Sequence, residues 1–178
     1  LKFLEANAYL VDVDVPTLID LGYYADSDDL INDLASVGYQ PESIKRIIFT
    51  HLHSDHIGNP RTFPNAKFVA SSGEIKNFKE MQMFFTYDAS ATDALNSVKL
   101  ESIKDKEGPF EVIRTPGHTS GSICLYLEEE NFLFTGDTIF GVHTGRTDVP
   151  TGSDKELKNS IRKLSKYKAK LLPGHDYV

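Results

Sequence analysis

"THLHSDHIGN" (Thr50–Asn59) sets three histidines and an aspartate within six residues, directly after the apolar run "RIIF" (Arg46–Phe49). The chain has six histidines in all, so half of them are spent here. "RIIFT" has the near-continuous apolar character of a buried strand, which puts the cluster on the loop that follows a strand. Residues two apart on extended backbone point the same way, so His51 and His53 converge on one point. A turn after them swings Asp55 and His56 toward another. Imidazole nitrogen together with carboxylate oxygen suits divalent transition metals, and two adjacent centres are expected.

Working outward, three further apolar stretches end the same way. "FEVIRT" (Phe110–Thr115) runs into "TPGHTSGS" with His118, "NFLFTGD" (Asn131–Asp137) ends on Asp137, and "AKLLPGHD" carries His175 after a Pro-Gly turn. Four strands thus terminate in loops bearing His or Asp, and loops at one sheet edge can meet at one site.

The rest of the chain reads as strands and helices in succession. "NAYLVDVDVPTLIDLG" (Asn7–Gly22) is expected to form two short strands around a tight turn at Val13–Pro16. Asp26–Val37 spaces Leu30, Ile31, Leu34 and Val37 as one helix face and stops at Gly38. "KFVAS" (Lys67–Ser71) reads as a strand followed by a helix from Ser72 to about Phe85, and Tyr87–Gly108 as helix plus loop. "SICLYLE" (Ser122–Glu128) is a strand that buries Cys124, the one cysteine, as an inert thiol. Asp154–Tyr167 is a helix with Leu157, Ile161 and Leu164 on one face. With no repeat or linker-like segment, residues 1–178 are expected to make one domain of layered α/β class.

Composition narrows the partners. A net charge of −7, with 40% hydrophobic and 25% charged residues, is that of an ordinary globular chain and argues against nucleic acid or an anionic membrane surface as partner. No run approaches the ~18 apolar residues of a membrane span. The start "LKFLEANAYLV" lacks a secretory layout. A small-molecule substrate and a cytoplasmic location are the expectations, and the composition is silent on oligomeric state.

In this order, "HLHSDH", "TPGHTSGS", "FTGDT" and "PGHD" resemble the motif set of the metallo-β-lactamase superfamily, over nearly the whole chain. The resemblance implies a four-layered αββα sandwich, of α/β (α+β) class, with a dinuclear site at one edge. It implies His51, His53 and His118 at site one, Asp55, His56 and His175 at site two, and Asp137 bridging both. Two divalent ions follow, zinc first, with iron or manganese as alternatives. Two dications against two carboxylates and a bridging hydroxide leave a net charge of about +1, which favours a developing oxyanion. Metals ~3.5–4 Å apart lower the pKa of a bound water toward ~7, so the implied reaction is hydrolysis by a metal-bound hydroxide. Asp55 is the candidate to accept or relay the proton, with a purely ligating role as the alternative.

"GDTIF", "GRTD" (Gly145–Asp148) and "PGHDY" look most like the glyoxalase II-like hydrolases, which cleave thioesters. The helical region with which glyoxalase II grips glutathione has no counterpart in this sequence, so the substrate expectation widens to small thioesters or esters. The persulfide dioxygenases share "GRTD", and by that resemblance His51, His118 and Asp137 would form a mononuclear iron triad. A non-catalytic binding module that keeps metals for stability ranks third. Lactonases carry tyrosine where this chain has Phe140, and the flavin-linked diiron proteins replace the histidine found here at His53. Around the site, Asp20 and Thr50 either orient a ligand imidazole or cap turns. Arg146 either pairs with Asp148 or contacts a substrate carboxylate. His143 belongs to no motif. Phe78, Phe84, Phe85 and Tyr87 either wall a pocket or fill the core.

Overall fold

The computed structural model describes residues 6–176. The first sheet joins β1 (Tyr9–Asp12), β2 (Pro16–Ile19), β3 (Arg46–Ile48), β4 (Lys67–Ala70) and β5 (Leu100–Ser102) in that order. β1 and β2 form the expected hairpin, with Tyr9 opposite Ile19, and the remaining pairs are parallel. The helices between them are α1 (Ser27–Ser36), the single turn α2 (Ser54–Ile57), α3 (Ser72–Met81), α4 (Met83–Thr86) and α5 (Ala89–Asn96). The second sheet gathers β6 (Lys106–Glu107), β7 (Phe110–Arg114), β8 (Ile123–Leu127) and β9 (Phe132–Gly136). After the small hairpin β10 (Ile139–Phe140) and β11 (His143–Thr144) comes α6 (Asp154–Leu164). β12 (Lys170–Pro173) then returns to lie parallel to β9 at the edge of the second sheet, whose order is β12-β9-β8-β7-β6.

Three apolar clusters divide the layers. Leu18, Ile47, Phe68 and Ala70 point from the first sheet toward Leu34, Phe78 and Leu95 of the helices. Their neighbours Ile19, Ile48 and Val69 point the other way, onto Phe110, Ile123, Leu125 and Phe134 of the second sheet. Cys124, Leu133 and Ile113 face outward again under Leu164 of α6. The period of two along each strand, with both faces covered, is why "RIIF" and "KFVA" read as unbroken apolar runs. The layers are therefore helix, sheet, sheet, helix.

The structure departs from the sequence reading in three places. The helix expected from Ser72 to Phe85 breaks at Gln82, whose φ of 50° leaves the right-handed region and starts α4 on a new axis. The stretch Tyr87–Gly108 contains α5 but also β5 and β6, strands of three and two residues at the sheet edges. The hairpin β10–β11 was not foreseen either, its strands being two residues each. Among the described residues no helix is long and apolar enough to cross a membrane.

Strand direction decides where function can sit. β2 and β3 are parallel in the first sheet. In the second, β7 and β9 each run antiparallel to β8, and β12 is parallel to β9. Asp20, the loop Thr50–His56, the loop after Arg114, Asp137 and His175 therefore all follow strands that finish at one edge of the sandwich, where open α/β sheets place their ligand sites.

Candidate metal centre

All seven residues singled out in the sequence meet at this edge. His51, His53 and His118 offer nitrogens within 4.8 Å of one another; Asp55, His56 and His175 offer a carboxylate oxygen and two nitrogens within the same span, and His51, His56 and Asp137 form a third such group between them. Asp137 turns one oxygen to each half. Its Oδ2 lies 3.6 Å from His118 Nε2, and its Oδ1 lies 3.2 Å from His56 Nε2 and 3.6 Å from His175 Nε2. Asp55 Oδ2 stands 3.2 Å from His175 Nε2.

The hydrogen bonds behind the imidazoles fix which nitrogen faces inward. Thr50 Oγ1 donates to Asp20 Oδ2 at 2.7 Å, so the same oxygen accepts from His51 Nδ1 at 3.2 Å. Asp20 Oδ2 also accepts from His56 Nδ1 at 2.8 Å, and Asp20 Oδ1 accepts from the Thr50 N–H. The Arg146 carbonyl accepts from His118 Nδ1 at 2.8 Å. In each case Nδ1 is the donor to the surrounding protein and Nε2 is the nitrogen turned inward. His51 Nε2, His56 Nε2 and Asp137 Oδ1 are buried and make no hydrogen bond, an unusual cost in a folded interior that fits atoms meant to ligate a cation. Asp20 and Thr50 thus orient ligand-type imidazoles, the first of the two roles expected of them.

Charge divides the cluster. Burial and neighbouring imidazoles hold His51 well below the ordinary histidine range, and burial takes His53 down to about 3 and lowers His118. Burial also opposes charge on His56 and His175, but Asp137, Asp20 and Asp55 raise the first and Asp55 and Asp137 the second. Burial disfavours ionised Asp55 and Asp137, yet His56 and its neighbours hold both below the ordinary range. Burial thus favours neutral imidazoles in the first group, whereas the carboxylates favour protonated ones in the second, where a cation would compete with the proton.

Backbone places two glycines where no side chain fits. A Cβ on Gly174 would fall 2.3 Å from Asp137 Oδ1 and 2.8 Å from His56 Cε1. One on Gly145 would fall 1.9 Å from the Asp137 carbonyl oxygen and 3.2 Å from His118 Nδ1.

Glu74 was missed in the sequence. It is fully buried on α3, and its Oε2 accepts from the Leu52 N–H at 2.8 Å while Oε1 accepts from Thr119 Oγ1 at 2.6 Å. Burial pushes its carboxyl up to about 7 against these bonds and one from the Gly121 N–H. One side chain thereby ties the segment between His51 and His53 to the loop after His118. "SSGE" (Ser71–Glu74) has the form of a capping box, and Ser71 Oγ does accept from the Glu74 N–H. The Glu74 carboxylate, however, reaches across to the ligand loops.

The centre floors a cavity of about 580 Å³ lined by Tyr23, Ser54, Tyr87, Phe140, Thr144, Arg146 and Val149 as well as the cluster. Tyr87 and Phe140 set their rings 5.5 Å from His53 and 5.8 Å from His175. Phe78 and Phe85 are core residues, whereas Phe84 is exposed. Arg146 and Asp148 form a two-pronged pair at 2.9 and 3.0 Å on the exposed rim. His143 lies in β11.

A family model described as the metallo-beta-lactamase superfamily matches residues 1–175. The chain is 34% identical to a "Probable metallo-hydrolase" of Methanocaldococcus jannaschii over 98% of its own length and 89% of that protein's. It is also 34% identical to a hydroxyacylglutathione hydrolase of Prochlorococcus marinus, over 76% of this chain but only 53% of that enzyme, so it spans about half of that relative. A crystal structure of a di-iron-bound protein superposes with a TM-score of 0.81 at 24% identity, covering 99% of this chain and 90% of the other. With the αββα layers and the His/Asp cluster at their edge, these matches establish that the chain belongs to the metallo-β-lactamase superfamily and has the metal-binding constellation of a metallo-hydrolase.

Proposed function

We propose that this chain is a hydrolase of small thioesters or esters working at a dinuclear centre, with His51, His53 and His118 holding one ion, Asp55, His56 and His175 the other, and Asp137 both. The observation that carries the reading is the set of inward, hydrogen-bond-free atoms His51 Nε2, His56 Nε2 and Asp137 Oδ1 between two compact ligand groups. Two divalent ions, zinc first and iron or manganese next, supply Lewis acidity and lower the pKa of water there. The same fold holds two irons in the solved neighbour.

The protein's own part is to present and to receive. Asp20 and Thr50 fix the His51 and His56 rings, and the Arg146 carbonyl fixes His118. Asp55 lines the cavity beside His175 and is the group placed to take the proton as water attacks the acyl carbon. Arg146, at the rim, is the candidate contact for a polar substrate group. We read residues 1–178 as one domain acting on a small molecule in the cytoplasm.

The mononuclear iron reading would use His51, His118 and Asp137 alone. It leaves unexplained why Asp55, His56 and His175 form a second group with its own inward nitrogen, which favours two ions. Elemental analysis of protein purified without chelator tests this, followed by a panel of acyl thioesters. About two ions per chain and thioester turnover support the proposal; one iron per chain with oxygen uptake on a persulfide overturns it. No metal uptake on reconstitution overturns both, in favour of a non-catalytic module.

A further inference from the structure

Among the described residues, six large apolar side chains are exposed: Val13, Val37, Met83, Phe84, Tyr87 and Val142. Four of these six sit on the two elements that border the metal cavity. Met83, Phe84 and Tyr87 belong to α4 and its C-terminal cap, and Val142 is in the turn between Phe140 and Thr144, which both line the cavity. Phe84 is 68% and Val142 93% exposed, in a chain of net charge −7. Of the four, Tyr87 lines the cavity itself and the others lie close in sequence to residues that do. Single exposed apolar residues need no account, but a group of them on the segments that wall a concave site marks a binding surface.

The backbone is strained to make this surface. Gln82 and Tyr87 flank the four residues of α4 with φ of 50° and 65°, a region that costs a side-chain-bearing residue free energy. The two departures detach α4 from α3. They leave Phe85 buried while Phe84 and Met83 face out, and set the Tyr87 ring over His53. Strain kept in this way clusters at sites that handle a ligand.

Charge excludes one kind of occupant. Among the described cavity-lining residues outside the proposed ligands, Arg146 is the one charged side chain, and Asp148 occupies it with two hydrogen bonds. A tail bearing several carboxylates finds no uncommitted cation there, whereas an uncharged hydrocarbon tail finds Tyr87, Phe140 and Val149 inside and Met83, Phe84 and Val142 beyond.

We propose that the substrate carries an extended, uncharged apolar acyl group, which runs from the metal centre past Tyr87 and onto Met83 and Phe84. This rests on the hydrolase reading and names its substrate class. The first readout is kcat/KM of metal-loaded protein on straight-chain acyl thioesters of increasing length. The second is calorimetric binding of the matching carboxylates, from butanoate to decanoate, which needs no turnover. Each added methylene is expected to raise both kcat/KM and affinity about two- to fourfold, the gain for hydrocarbon partly to fully removed from water. In the Met83→Ser/Phe84→Ser double variant, whose side chains are exposed and outside the core, the gain per methylene falls toward none for the longer chains, through KM rather than kcat. A series flat in chain length, or one whose slope the double variant keeps, overturns the proposal. So does sedimentation showing a wild-type dimer that the double variant dissolves, because the patch is then a surface between copies. Binding that lengthens with the chain while no thioester is cleaved leaves the apolar site standing and sinks the hydrolase reading instead.

Discussion

Removing the Glu74 carboxylate should loosen the first metal site from behind. In Glu74→Ala the Leu52 and Gly121 N–H groups lose their acceptor in a buried place, while Thr119 Oγ1 keeps Ser122 Oγ as a partner at 2.7 Å. Two orphaned amides cost about 1–3 kcal/mol each, about 2–6 kcal/mol together, before any relief from no longer burying a carboxyl. For a chain of this size that lowers the melting temperature by about 2–4 °C per kcal/mol. The positional consequence is the sharper one. Leu52 stands between His51 and His53, so the affinity of the first metal should fall about 10–100-fold, as it does when groups that orient ligands are lost. Competition against a chelator of known affinity measures it.

Glu74→Gln keeps the shape and supplies a pH signature. With its carboxyl pushed from the ordinary 4.5 to about 7, folded Glu74 keeps a proton that the unfolded chain has released across that window. Its contribution to metal-free stability is thus full below pH 4.5, declines as pH rises to about 7, and is flat above. Relative to Glu74→Gln the wild type should lose about 3 kcal/mol between those limits, at ~1.4 kcal/mol per pH unit. Unaltered metal affinity in Glu74→Ala, with only the melting temperature lowered, would refute the positioning argument and leave Glu74 a tie of the fold.

Other perturbations separate the remaining parts. Asp20→Asn turns an amide toward His56 Nδ1 and removes the acceptor that keeps its proton there, so metal affinity should drop about 10–100-fold in a chelator titration. Gly145→Ala drives a Cβ into the Asp137 carbonyl and should cost bound metal in elemental analysis. Arg146→Ala, which spares the backbone carbonyl under His118, should leave metal stoichiometry and melting temperature at wild-type values. Because Asp137, Asp20 and Asp55 favour protonation of His56, and Asp55 and Asp137 that of His175, metal and proton should compete most strongly in the second group. Calorimetry in buffers of differing ionisation enthalpy should show proton release on metal uptake, and the second ion's affinity should climb more steeply with rising pH than the first's.

How much of this was open to a reader of the sequence depended on whether side chains or backbone did the work. The cluster His51–His56 and the isolated His118, Asp137 and His175 announced themselves because chemistry needs those residue types and the turn formers beside them mark strand ends. The long strands were legible from their period. β5, β6, β10 and β11 were not, since strands of two or three residues, several of them exposed, are too short to display a period. The Arg146 carbonyl is a backbone atom that no side-chain pattern reports. Glu74 was hidden differently: on a polar helix, three residues after Ser71, it has an adequate local explanation as part of a cap, and only the fold reveals that its carboxylate is buried.

The division of ligands between the sheets gives the centre a mechanical meaning as well as a chemical one. His51, His53, Asp55 and His56 follow β3 of the first sheet, while His118, Asp137 and His175 follow β7, β9 and β12 of the second. Each proposed ion therefore draws ligands from both sheets, across the open end of the apolar seam formed by Ile48, Val69, Ile123 and Phe134. Polar ties also cross that end: Glu74 to Leu52 and Thr119, Ile123 N–H to the Thr50 carbonyl, and Tyr9 hydroxyl to the Pro173 carbonyl at 2.7 Å. Ligation adds stability only in the folded state, by the logarithm of ion concentration over dissociation constant. Bound ions would thus clamp the two sheets at the edge where the cavity opens. α4 and β10–β11 supply no ligand to that clamp and reach it only through the Tyr87 and Phe140 rings beside His53 and His175, which is why the metal centre could be read from motifs and the substrate could only be argued from the surface around it.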